Sequence, residues 1–206
     1  VALGLTQVGI GLAAALVPPV IALVVARQGW QHGFVALAGL AALGVVPALL
    51  GLPGRGKPGA KPEGEGYPAV CASSVYRLQY AAFCAMAFAF AGMLPHFVPM
   101  LREAGMPVER AGALAGLIGA SVIVTRIVVG WLADRIEPAW LGSASCLICA
   151  SGCLLLALGG PAMAPVGALA LGAAMGAEAD LIGILTARYF PISAYSRAYA
   201  AQYGGF

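Results

Sequence analysis

The chain is 206 residues long, 61% hydrophobic and 9% charged, with a formal net charge of +3. A soluble domain carries about 25% charged residues, so this sequence cannot cover itself with a polar surface, and its few cations are scattered through loops rather than gathered into a patch for nucleic acid. Its apolar runs are continuous, which excludes a transmembrane barrel, whose strands alternate apolar and polar residues over about 10 positions. An all-α membrane protein remains, a polytopic helical bundle.

Crossing a bilayer takes about 20 mostly apolar residues, and six such segments are expected, at residues 2–26, 32–52, 78–101, 110–133, 139–159 and 163–187. The first exceeds the apolar core of a signal peptide and has no basic leader, so it reads as a spanning helix. It carries Gly9 and Gly11 and then Pro18-Pro19, which removes two backbone donors and is expected to kink or open the helix. After the second segment, residues 53–68 read PGRGKPGAKPEGEGYP, a polar linker too rich in Gly, Pro and charge to bury a core. The third segment ends near His96, between Pro95 and Pro99, an interfacial histidine or a proton site. The fourth holds Gly112, Gly116 and Arg126. In the fifth, Cys146, Cys149 and Cys153 form a stripe of small residues without nearby His or acidic ligands, which suits helix packing rather than a metal. The sixth carries Gly172, Gly176, Glu178 and Asp180. Both ends of the chain are apolar, from which we expect a piece of a longer protein.

Lys and Arg placement sets the expected orientation. Arg55, Lys57, Lys61, Arg77, Arg135, Arg188 and Arg197 fall on one side, and Arg27, Arg102 and Arg110 on the other. The excess on the linker side puts the linker in the cytoplasm.

Arg126 stands in a run otherwise free of charge from residue 111 to 132. An arginine near the centre of a spanning helix costs about 2.5–3.5 kcal/mol on insertion scales. Something must offset that: an acidic partner, an anionic substrate in a water-filled path, or an escape of the guanidinium to the interface. At about 1.5 Å per residue, Arg126 lies about 12 Å from Asp134, Asp180 about 12 Å from Arg188, and Glu178 about 15 Å from it. The three charges therefore share one depth. At about 100° per residue Glu178 and Asp180 point to nearly opposite sides of their helix. Asp180 shares a face with Gly176, Gly183 and Ala187, and either acid is a candidate partner for Arg126.

At the end of the fourth segment, Gly130-Trp131-Leu132-Ala133-Asp134-Arg135 resembles the loop signature of the major facilitator superfamily. The stretch from His96 to Gly105, with Ala111, Arg126 and the Gly130 loop, is similar to the seventh and eighth helices of its monocarboxylate-transporter-like and oxalate/formate-antiporter-like members. Gly176-Ala-Glu-Ala-Asp180 and Ala187-Arg-Tyr-Phe190 resemble their tenth helix, and Gly9, Gly11, Pro18-Pro19 and Gly29-Trp30 their fifth. Where the loop signature usually continues with glycine and a basic pair, this chain has Ile136-Glu137-Pro138.

The resemblance implies helices five to ten of a twelve-helix transporter. Residues 1–52 would be the last two helices of the first half, 53–77 the cytoplasmic connection between halves, and 78–206 the first four helices of the second half with the start of the next. It implies a multi-pass protein of the inner or plasma membrane that moves a small organic anion by alternating access, as a symporter if a proton is coupled. Arg126, Glu178 and Asp180 would contact substrate; Gly130, Asp134 and Arg135 would form a gating loop; Gly9, Gly11, Pro18, Pro19 and Gly176 would serve packing or kinking. Its partners would be membrane lipid and the remaining helices, with no nucleic acid and no cofactor. An efflux transporter of hydrophobic compounds and a non-transporting truncated membrane protein are the alternatives. No nucleophile elbow or phosphate loop points to an enzyme.

Overall fold

The computed structural model describes residues 2–43 and 67–204, with side chains described from Leu12 onward except Ala14. In chain order the helices are α1 (Ala2–Gln28), α2 (Trp30–Leu43), α3 (Tyr67–Ala72), α4 (Ser74–Glu103), α5 (Val108–Leu132), α6 (Pro138–Gly159), α7 (Ala164–Tyr189) and α8 (Ile192–Tyr203). The described residues form no strand. Three helical stretches are long and apolar enough to cross a membrane: Ser74–Glu103, Val108–Leu132 and Pro138–Tyr189. The last is divided into α6 and α7 by the tight 3-10 turn Gly160–Met163.

Chain reversals fall where the sequence permits them. Gly29 ends α1 at φ 90°, a backbone angle that L side chains rarely adopt, and its N–H bonds to the Val25 carbonyl at 3.0 Å. Gly105 does the same after α4 at φ 86°, where the Met106 N–H reaches back to the Leu101 carbonyl at 3.0 Å. Ser73 opens α4, its Oγ accepting from the Tyr76 N–H at 3.2 Å. Most of the polar linker lies outside the described residues. Of the stretch assigned to the connection between halves, residues 67–72 form α3 and α4 already begins at Ser74.

Helix α5 is the centre of the bundle, packed between α1 and α7. Lipid tails are as apolar as leucine, so helices associate in a membrane by close packing, which small residues permit. Gly112 and Gly116 supply it toward α1. A Cβ on Gly116 would stand 2.8 Å from the Ala15 carbonyl oxygen and 3.2 Å from Pro19 Cδ, and one on Gly112 would meet the Ala22 methyl. Gly172 and Gly176 supply it between α7 and α5: a Cβ on Gly172 would collide with the Ile118 carbonyl, and one on Gly176 would lie 2.7 Å from that of Val122. The same contact is tied by Ser121, whose hydroxyl donates to the Leu169 carbonyl at 2.7 Å.

Of the kink or opening expected at the two prolines, the opening is not found. Pro18 and Pro19 do not open their helix, which is continuous across both. The ring of Pro19 packs over Gly116, so the neighbouring helix accommodates the shape that sequence alone suggested would break α1. Gly9 and Gly11 lie in α1 where side-chain surroundings are outside the described residues. The cysteine stripe of α6 is a packing surface: Cys149 is buried and the Cys146 thiol reaches Met86 Sδ of α4 at 3.2 Å.

Candidate functional site

Arg126 turns inward from α5 and donates from one terminal nitrogen to Asp180 Oδ1 on α7 at 3.1 Å. The two side chains are 3% and 6% exposed, so the guanidinium stays inside the bundle instead of reaching for the interface. The close approach at Gly176 and Gly172 brings the backbones near enough for this bond, because Gly176 lies one turn before Asp180 on the same face of α7. The pair is incompletely bonded. Arg126 Nε and Asp180 Oδ2 are both buried without a hydrogen-bond partner among the described residues. A guanidinium can grip a carboxylate through two parallel bonds; here it makes one, leaving hydrogen-bonding capacity for a further group.

Glu178 is not part of this pair. It is 1% exposed, and its Oε1 also lacks a partner among the described residues. It lies on the other face of α7 from Asp180. Of the three charges expected at one depth, the structure therefore joins two and sets the third apart. His96 is exposed on α4, which continues through Pro95 and Pro99, and it is not brought to the pair.

At the loop between α5 and α6, Gly130 has open space around it and Asp134 is exposed. Arg135 folds back on its own helix, its guanidinium 3.8 Å from the centre of the Trp131 ring and donating to the Trp131 carbonyl at 3.2 Å. The contact that ties this loop to the rest of the bundle comes from Glu137. Its carboxylate accepts from Arg188 at 2.9 Å and from the Tyr189 hydroxyl at 3.0 Å, both at the end of α7.

Two further polar groupings were not singled out in the sequence. Gln79 of α4 donates to Gln202 Oε1 of α8 at 3.0 Å and to Thr186 Oγ1 of α7 at 3.3 Å, all three buried. An amide in each of two apolar stretches was the available signal. The other is a row of tyrosines on α8 at four-residue spacing. Tyr195 and Tyr199 stack with ring centres 5.7 Å apart, Tyr199 and Tyr203 lie 4.9 Å apart, and Tyr195 and Tyr199 lie against Gly183 of α7.

Membrane-length apolar helices held together at glycines, with an ion pair sealed between two of them, define a polytopic helical membrane protein. The whole chain, residues 1–206, matches the Major Facilitator Superfamily. It belongs to that superfamily, which is one of membrane transporters. No curated protein matches it, and no solved structure does.

Proposed function

We propose that this chain serves in a secondary transporter that moves a small organic anion, monocarboxylate-like, by alternating access, with Arg126 as the anion-binding residue. The observation that carries this reading is the half-satisfied ion pair: a buried guanidinium holding Asp180 by a single bond, with Nε and Asp180 Oδ2 unpartnered. In the empty site Asp180 offsets a charge that would otherwise cost a few kcal/mol in the membrane. An arriving carboxylate competes for the same guanidinium and gains two parallel bonds. Asp180 then gives up its bond, and a proton taken up by that carboxyl would couple transport to proton movement, making the protein a symporter.

The resemblance of the Gly130 to Arg135 loop and of the Arg126 helix supports the monocarboxylate and oxalate/formate branch of the superfamily. On that alignment α1, α2, α4, α5, α6 and α7 are helices five to ten, residues 53–77 join the halves on the cytoplasmic side, and the protein resides in the inner or plasma membrane. Asp134 and Arg135 then act at the gate, and the remaining helices complete the substrate cavity. Efflux of hydrophobic compounds is the second reading, favoured by the sealing of the pair at 3% and 6% exposure, which suits a structural bond.

Uptake of labelled carboxylates by the full-length protein separates the two. Lysine keeps the charge of Arg126 but loses the planar fork. Arg126→Lys should weaken carboxylate binding at normal membrane abundance. Wild-type affinity and uptake in Arg126→Lys and Arg126→Ala would leave the arginine a structural residue.

A further inference from the structure

At the end of the bundle where α4 and α6 begin and α7 ends, a groove of about 480 Å³ runs between α4 and α6 over α7. Leu78 and Phe83 of α4, Ala139, Gly142 and Cys146 of α6 and Leu185 of α7 line it. Phe83 and Leu185 are buried and form its floor, whereas Leu78 and Ala139 are exposed and form its lips. The α6 residues follow one another at helical spacing, so they share one face, and all of them are small. Gly142 keeps the groove open, since a Cβ there would have only Leu185 near it, at 3.8 Å. From Ala139 to Cys146 the groove extends about 10 Å along α6, at about 1.5 Å per residue. It thus starts in the first turn of α6 and runs inward from there.

The mouth of the groove is polar and carries both signs of charge. Tyr189, which also lines the groove, donates its hydroxyl to Glu137 at 3.0 Å, and Arg188 donates to the other oxygen of the same carboxylate at 2.9 Å. The Arg188 and Glu137 side chains are 52% and 41% exposed. An exposed pair of this kind contributes little to stability, so exchanging partners with a ligand costs little. Trp140, 72% exposed, stands in the same first turn of α6. Tryptophan and tyrosine gather at the level of lipid headgroups, and basic pockets between spanning helices receive those headgroups. An apolar groove with a cation and an anion side by side at its mouth is complementary to a phospholipid that carries both charges. One acyl chain fills the groove, the phosphate takes the Arg188 guanidinium through two parallel bonds, and the ammonium takes Glu137. Glu137 also discriminates among headgroups. A primary ammonium donates hydrogen bonds to a carboxylate, a trimethylated one has no N–H to give, and a headgroup with only a phosphate brings its negative charge beside Glu137 uncompensated.

We propose that the groove between α4 and α6 is a binding site for one phospholipid with a phosphoethanolamine headgroup, held by Arg188 and Glu137 at the mouth. The site is separate from the Arg126–Asp180 pair and does not depend on what that pair binds.

The test is native mass spectrometry of the purified full-length protein, titrated with phosphatidylethanolamine, phosphatidylcholine and phosphatidylglycerol of identical acyl chains. The ethanolamine lipid should bind about fivefold tighter than either of the others in the wild type, the margin of a charge-assisted hydrogen bond at an exposed site. Glu137→Gln should bring the three lipids within about twofold of one another, because the ammonium loses its anion and the phosphatidylglycerol loses its repulsion. Gly142→Phe fills the groove and should remove the ethanolamine preference while the melting temperature reports that the variant is folded. If Gly142→Phe does not fold, Ala139→Phe on the exposed lip carries the same expectation. Equal binding of the three lipids in the wild type overturns the site, as does an ethanolamine preference that survives both Glu137→Gln and the groove-filling variants. Absence of any preference, together with a lowered melting temperature in Ala139→Phe, would assign the groove to another helix of the full-length protein and overturn the lipid site.

Discussion

Asp180→Asn is the sharpest perturbation of the ion pair, because it removes one charge and almost no volume. Arg126 would then keep its charge at 3% exposure with no counter-charge in hydrogen-bond contact. Removing one partner of a buried pair costs about 3–5 kcal/mol. The pair has a single bond of 3.1 Å rather than a bidentate fork, which places the expected loss at the lower end, about 3 kcal/mol. For a chain of this size each kcal/mol moves the melting temperature by about 2–4 °C, so the variant should melt about 6–12 °C below the wild type. Cys149, buried at 3% exposure, provides the assay once the four less buried cysteines, Cys71, Cys84, Cys146 and Cys153, are replaced by alanine: its modification by a fluorogenic thiol reagent during heating reports opening of the core around α6. Replacing both members with apolar residues of similar size, Arg126→Met with Asp180→Leu, should recover most of that stability, since a buried pair exchanged for packed hydrophobes is often neutral or better. The double variant should nevertheless bind no carboxylate. A melting temperature within about 2 °C of wild type for Asp180→Asn, or a double variant as unstable as the single one, would refute the buried pair.

Gly176→Ala puts a methyl 2.7 Å from the Val122 carbonyl oxygen and must push α7 off α5, so it should lower the melting temperature and weaken carboxylate binding together. Gly92→Ala, with nothing within 4 Å, should leave both unchanged or raise stability slightly through helix propensity. At the α5–α6 loop, Asp134→Ala should reduce turnover measured by counterflow while affinity stays within a few fold; a selective loss of affinity would assign Asp134 to substrate instead. Glu137→Gln breaks a pair exposed at 52% and 41%, where such bonds contribute about 0–1 kcal/mol, and melting should barely move. Glu178→Gln should leave carboxylate affinity unchanged in a binding titration, because Glu178 faces away from Arg126, and a large loss there would return it to the substrate site.

The helices were legible because membrane insertion imposes length and apolarity on sequence directly. The expected segments at 110–133, 139–159 and 163–187 lie within a residue or two of Val108–Leu132, Pro138–Gly159 and Ala164–Tyr189. Depth was legible for the same reason, since rise per residue is fixed, and it put Arg126 and Asp180 level with one another. Depth could not choose between Asp180 and Glu178. Angular position along α7 narrowed the choice, because Asp180 shares its face with Gly176, and only a glycine face admits α5 closely enough for a bond of 3.1 Å. The prolines read alone allow a kink or an opening, and the helix does not open, because the effect depends on what lies opposite: Gly116 of α5 leaves the space that receives Pro19. Glu137 was visible only as a departure from a loop signature. Its role depends on α6 and α7 bringing it beside Arg188 across a separation of 51 residues. The tyrosines were overlooked for a different physical reason. Aromatic residues at four-residue spacing are ordinary in a membrane helix, and nothing local marks them until Gly183 on another helix gives Tyr195 and Tyr199 a place to lie.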